Sequence, residues 1–373
     1  MELFGVSPSI AGPSVNPTTA VRVPAVAAAV GLISSTCGTL PAKVFMRSED
    51  GGKEPDPSHP AYALIHDDAN DWTSAAQFRE ALTRDALLHG GGFAFANIVN
   101  GRVVELLRLD PTRVQVLADM ATGEPVYRVT EGRGHRDLDR RTVLHLPAPG
   151  GVAPIATARE AIGLALTLEQ HAARLFANGA RPSGIVSFPG NLSAEGATRA
   201  KTAWQAAHGG DKSGSTAVLD GGASFQSLAL TSVDAQFAEM RQFQLGEIAR
   251  AFRVPPVFLA DYSRATWGNS EEMGRQLVTY TLLPWLRAWE AAYRRVLLTP
   301  EERDTYSVEF VVDDLLRGDT KTRAEAYTKL RASGSVTANE VRRWENLPAH
   351  PDGDTLASPY TTSNTNTGAP ADA

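Results

Sequence analysis

Cysteine is nearly missing from this chain: Cys37 is alone among 373 residues. That excludes an intrachain disulfide and any multi-cysteine zinc or iron–sulfur site, and it fits a reducing compartment. Basic charge is also in deficit, since 36 Lys and Arg stand against 42 Asp and Glu, a formal net charge of −6. A protein that grips DNA needs a cation for each phosphate it neutralises, so simple DNA gripping is disfavoured. Long apolar runs are lacking too. The nearest, VPAVAAAVGLISSTCGTLP (23–41), is mostly Ala, Gly, Ser and Thr with Pro24 near its start and Pro41 at its end. A bilayer span needs about 20 predominantly apolar residues, so this stretch reads as a buried small-residue helix. The opening MELFGVSPSIAGP lacks the basic region and apolar core of a secretory signal. The expectation is a soluble protein that is intracellular when made, with no membrane contact.

Reactive constellations are missing as well. There is no H-E-x-x-H, no G-x-S-x-G and no G-x-G-x-x-G, and GGDKSGS (209–215) fails the P-loop spacing and reads as a flexible turn. The eight histidines are scattered without metal-ligand spacing, and His145, inside the apolar VLHLP, reads as a satisfied half-buried ring. Asp313-Asp314 reads as solvated strand-end carboxylates, and Arg317-Gly318-Asp319 as a turn with Asp319 free to cap a helix. No enzyme activity, metal or cofactor is expected.

What is present is an ordinary folded composition, 43% apolar, on a chain long enough for two or three domains. Residues 1–20 and 351–373, rich in Pro, Gly, Ser, Thr and Asn, read as mobile ends. Ser74 and Gln77 form a capping box that opens a helix with Phe78, Leu82 and Leu88 on one side, ended by Gly90-Gly91-Gly92. FAFANIV (93–99), Asn100-Gly101 and VVELLRL (103–109) predict a β-hairpin, because Asn-Gly tolerates the positive φ of a tight turn. With further strands at 113–117, 126–130 and 142–146, the first 150 residues read as an α+β domain of mainly antiparallel pairing. A helix over 156–179 carries apolar residues on more than one side, which implies burial on more than one side.

Residues 181–230 follow a β-α-β-β rhythm, and a second long helix runs over 232–253. Pro255-Pro256 breaks it. Helical structure restarts at Asn269 and reaches about 298, with a kink expected at Pro284. A strand at 306–312 and two short helices finish the chain, the last opened by Thr337 and Glu340.

Nine segments in this order resemble the portal proteins of long-tailed (siphovirus-type) bacteriophages, including those of prophages and gene-transfer particles. They are VPAVAAAVGLISSTCGTLPAKVF (23–45), LLHGGGFAFANI (87–98), ELLRLDPTRVQV (105–116), HAARLFANGARPSGIV (171–186), DAQFAEMRQFQLGEIARAFRVPPVFLAD (234–261), ATWGNSEE (265–272), LLPWLRAWE (282–290), DDLLRGD (313–319) and GSVTANEVRRWENLP (334–348). Each is weak alone; the ordered set is specific.

The resemblance implies an α+β portal fold with wing, stem, clip and crown regions in a ring of about twelve chains around a central channel. A wing would span 21–155 with a returning strand at 300–318. Stem helices would occupy 156–180 and 232–255, and the clip 181–231. A tunnel loop at 256–268 would place Ser263, Arg264, Thr266 and Trp267 at the DNA channel. A kinked tunnel helix would follow at 269–299. The crown, 319–350, would offer Lys321, Arg323, Lys329, Arg331, Arg342 and Arg343, which read equally well as solvated helix charges.

Leu168 and Leu175 are the expected subunit-interface residues. Implied partners are the large terminase, the head–tail adaptor, the major capsid protein and double-stranded DNA passing without sequence specificity; the implied location is the virion, after assembly in the host cytoplasm. The acidic balance agrees with a channel in which DNA slides instead of sticking. Two other classes compete: an α/β enzyme with a pocket in the 181–230 module, and a sequence-specific DNA-binding protein. Size separates them, because only the portal forms a ring of several hundred kilodaltons.

Overall fold

The computed structural model describes residues 9–48, 52–177, 184–190, 193–208, 223–227, 232–263, 270–312, 320–345 and 347–356. The chain divides into two compact units. One comprises Met1–Ile33, Arg84–Gly92 and Pro147–Asp261; the other comprises Ser34–Thr83, Phe93–Leu146 and Tyr262–Ala373. No helix among the described residues is long and apolar enough to cross a membrane.

The second unit is built on antiparallel strands. The strand Ala42–Arg47 lies between Tyr306–Phe310 and Lys53–Pro55, with Val44 opposite Val308. The expected hairpin is present. Gly91–Val99 pairs with Arg102–Leu109, and the turn places Asn100 at φ 51 and Gly101 at φ 78, as a two-residue hairpin turn of this kind requires. Val114–Ala118, Pro125–Glu131 and Gly134–Asp139 form a meander. Its last strand, GHRDLD, has no apolar alternation to announce it. It is held instead by backbone pairing and by a bidentate ion pair across the ladder, Asp137 to Arg128 at 2.8 Å on both arms.

Ser74 and Gln77 cap the helix Ala75–His89 reciprocally, as the sequence implies. Phe78 and Leu82 are buried, but the apolar face continues through Leu87, with Leu88 only half-buried. Trp289 of the helix Leu283–Leu297 is fully buried against Phe78 and donates its indole N–H to Thr83 Oγ1 at 2.9 Å. The helix Pro24–Thr39 is made of small residues because it must come close to a neighbour: a β-carbon on Gly38 would sit 2.9 Å from the carbonyl oxygen of Ala76.

Arg79 completes this region. It is 2% exposed, and its guanidinium donates to the carbonyls of Cys37 (3.1 Å), Gly38 (2.7 Å), Leu40 (3.1 Å) and Ile65 (2.5 Å). Those carbonyls end the helices Pro24–Thr39 and Pro60–His66, where intrahelical donors have run out. A cation there also opposes the negative helix ends. Cys37 is buried beside it, and burial pushes its thiol up to about 12, so it is unreactive.

The first unit is helical. The stretch expected as one helix is two, Pro154–Thr157 and Arg159–Ala177, separated at Ala158. The helix Ser232–Phe252 packs against Arg159–Ala177, with His171 and Phe237 rings 6.1 Å apart. In the insert, Gly184–Ser187 pairs antiparallel with Ser224–Ser227, and Ala194–His208 is helical. The expected strand TAVLD (216–220) lies outside the described residues.

The reading of 1–20 as a mobile arm does not hold for residues 9–20. Asn16 and Thr19 cap a short helix, Pro17–Ala20. The Ile10 amide donates to Glu160 Oε2 at 2.8 Å, and Ser9 lies so close to Gly163 that a β-carbon there would overlap its side chain. Composition misleads here because the segment gains its partners from a helix 150 residues away. In the second unit the tail is likewise anchored up to Thr355. Asn339 donates to the His350 carbonyl and Asp354, and Arg331 donates to the Thr355 carbonyl.

Candidate channel and docking elements

The segment expected to reach a channel begins where Ser232–Phe252 ends. Arg253 takes φ 57, and the Val254 amide bonds back to the Ala249 carbonyl at 2.9 Å, closing the helix without a glycine. Pro255 lacks a donor and Pro256–Leu259 winds as a single 3-10 turn, ended by Ala260 at φ 63. Two left-handed non-glycine residues within eight positions are uncommon, and each costs on the order of 1–2 kcal/mol. Buried Val254 and Leu259 anchor the turn, and Gln242 holds Asp261 at 3.4 Å. Ser263 is exposed. Arg264, Thr266 and Trp267 lie outside the described residues, as does Asn269.

Further along, Ser270–Gln276 is α-helical, Leu277–Leu282 is a π-helical turn, and Leu283–Leu297 is α-helical again. The kink expected at Pro284 takes the form of this π turn. Pro284 has no N–H for the Tyr280 carbonyl, and the preceding turn widens so that the Leu283 amide bonds Val278, five residues back. The widening buries Leu277, Val278, Thr281 and Leu282 and leaves Tyr280 66% exposed.

The basic residues expected in a crown fall within Thr320–Ala332 and Ala338–Trp344, the latter opened by the expected Thr337–Glu340 box. Arg331 is half-buried and donates to the carbonyls of Val336 and Thr355, both at 3.3 Å. Arg342 donates to the Pro348 carbonyl at 2.7 Å. Both are engaged by backbone carbonyls of neighbouring segments, so part of their donor capacity is spent. Lys329 and Arg343 are exposed. The side chains of Lys321 and Arg323 lie outside the described residues.

Leu168 is 8% exposed within its own chain. It lines a cavity of about 360 Å³ with Leu245 and Ile248, so its burial requires no second subunit. The Leu175 side chain lies outside the described residues. Sequence reading missed the apolar surface this region does leave open: Met240 is 43% and Phe243 57% exposed on Ser232–Phe252. Further along the same helix, Ile248 and Phe252 are covered.

His145 is as expected. It stacks on Phe93 at 4.6 Å and meets the Tyr127 hydroxyl at 3.2 Å. Burial, with Arg295 nearby, pushes it down to about 4, so the ring is neutral at physiological pH. No group of three or more His, Cys, Asp or Glu among the described residues is arranged to hold a metal ion. Asp313-Asp314 and Arg317-Gly318-Asp319 lie outside the described residues.

Residues 24–346 match the phage portal protein family. The chain belongs to that family. The portal protein is 34% identical to the probable portal protein of Streptomyces phage phiC31 over 359 residues, covering 92% of this chain and 78% of that one. It is 30% identical to the portal protein of Enterobacteria phage HK97 over 351 residues, covering 91% and 82%. Among solved structures it is similar to a chain in the neck of a native GTA particle computed with C12 symmetry, with TM-score 0.63, 22% identity, and 92% and 96% of the two chains covered. That structural likeness carries the fold, α+β in the portal manner.

Proposed function

We propose that about twelve copies of this portal protein close into a ring at one vertex of a phage or gene-transfer particle, with double-stranded DNA passing through the centre without sequence specificity. The observation that carries this reading is the family match across residues 24–346. The C12 neck supports the subunit number. Exposed Met240 and Phe243 support contacts between copies, since apolar side chains on a stem helix gain by being covered. The net charge of −6 suits a wall along which DNA slides.

In this reading the chain is a structural component, not a catalyst. It is assembled in the host cytoplasm and resides in the virion. The wing meets the major capsid protein. The module at 181–231 receives the large terminase during packaging and the head–tail adaptor afterwards. Arg264 supplies one cation per subunit at the channel.

Native mass spectrometry and end-on electron micrographs of the purified full chain test the ring; a monomer or dimer at micromolar concentration would refute it. Arg264→Glu is expected to lower the DNA content of particles while leaving rings intact. Deleting 190–212 is expected to leave rings intact and abolish terminase and adaptor binding; retained binding places docking elsewhere.

A further inference from the structure

A cavity of about 310 Å³ lies within the second unit, between the end of helix Leu283–Leu297, the start of helix Pro60–His66 and the hairpin of Gly91–Val99 and Arg102–Leu109. Five arginines line it, Arg102, Arg140, Arg141, Arg295 and Arg303, and they come from three separate stretches of sequence. Glu302 is the one acidic side chain in the lining, and it is already engaged. Its Oε2 accepts from the Thr299 amide at 2.9 Å, and its Oε1 is 3.5 Å from Arg102. Arg140 pairs with Glu124 at 2.8 Å, and Arg303 donates to the carbonyls of Arg295 and Leu298. Arg141 and Arg295 make no ion pair among the described residues, so the cavity holds more positive charge than its wall neutralises.

A second observation points the same way. The His59 side chain is only 5% exposed and lines the cavity. Its Nδ1 accepts from the Ala61 amide at 3.1 Å, which places the proton of the neutral ring on Nε2. Nε2 makes no hydrogen bond; its nearest acid, Glu302 Oε1, is 3.7 Å away. A buried N–H donor without an acceptor is costly and rare in folded proteins. Burial holds this ring below its ordinary titration range, so it is neutral and yet still a donor.

We propose that this cavity binds a phosphate group, with His59 Nε2–H donating to one oxygen and Arg141 and Arg295 supplying guanidinium forks to the others. Tetrahedral phosphate offers several acceptors in different directions, which suits guanidinium groups arriving from several segments. A carboxylate is planar and singly charged, so its acceptors lie in one plane and it balances only one guanidinium. The volume admits a phosphate with part of its hydration, or one unit of a phosphodiester chain, and excludes a duplex from entering bodily. The phosphate has two sources, a free phosphate species or the backbone of DNA presented at the cavity mouth. The site does not depend on the ring reading above.

Isothermal titration of the full-length protein at low ionic strength, with inorganic phosphate, with acetate and with a 20-base-pair duplex, tests the assignment. Saturable phosphate binding is expected. It should weaken at least tenfold in Arg141→Gln/Arg295→Gln and in His59→Gln, with assembly checked by native mass spectrometry. Arg141 and Arg295 are exposed, so the double variant should keep the wild-type melting temperature; Arg141→Gln alone serves if it does not. Duplex binding that falls in the same variants assigns the phosphate to DNA backbone, and unchanged duplex binding assigns it to a free species. Either outcome supports the site. Absence of saturable phosphate binding, wild-type affinity in the variants, or acetate binding as tightly as phosphate would overturn it.

Discussion

Replacing Arg79 with methionine removes four hydrogen bonds from a place that water reaches poorly. The guanidinium is 2% exposed and serves the carbonyls of Cys37, Gly38, Leu40 and Ile65. Methionine fills much the same volume, so the loss is one of polar satisfaction more than of packing. Each carbonyl left buried and unpaired costs about 1–3 kcal/mol. If half of them reach water as the helix ends relax, the remaining two at about 2 kcal/mol each give a loss of about 4 kcal/mol. For a folding unit of 150–250 residues, each kcal/mol lowers the melting temperature by about 2–4 °C, so the expected drop is roughly 8–16 °C. Circular dichroism melts of the full chain measure it, with native mass spectrometry confirming equal assembly of variant and wild type. Arg79→Lys keeps the charge but presents it as a point that cannot reach four spread acceptors, and it should fall between the two. A melting temperature within about 3 °C of wild type for Arg79→Met would refute the argument that these helix ends depend on one side chain.

Two further outcomes follow from the same packing. His145, held down to about 4 against 6.5 when unfolded, binds its proton more readily in the unfolded chain. Its effect is therefore nil above about pH 7, and stability is lost as pH falls from 6.5 towards 4, by up to about 3 kcal/mol. In His145→Phe the acid-side fall in melting temperature should be shallower than in wild type; parallel curves would contradict this. Gly163→Ala would drive a β-carbon into Ser9, so the segment 9–16 should detach. Limited proteolysis should then cut before Asn16 faster than in wild type, and unchanged cleavage would show that the segment is not held there.

Local chemistry made much of this protein legible before any tertiary contact was known. The Asn100-Gly101 turn, the Ser74–Gln77 and Thr337–Glu340 boxes and the break at Pro255-Pro256 each depend on residues within four positions of one another, and each stands where the sequence places it. The order of such segments was enough to recognise the portal family. Tertiary structure decided the features whose partners lie far along the chain. The strand Gly134–Asp139 forms because Pro125–Glu131 offers it a backbone ladder, a buried place for Leu138 and Arg128 opposite Asp137, and residues 9–16 are ordered because Glu160 and Gly163 receive them. Proline at 284 announced a disturbance, but only the tertiary structure shows it as a widened helical turn that buries Leu277, Val278 and Leu282. Arg79 and His59 look like ordinary surface residues in the sequence. Only the folding of distant helix ends and strands around them made one a buried staple and the other an unpaired donor facing arginines, because burial is a property of the whole chain.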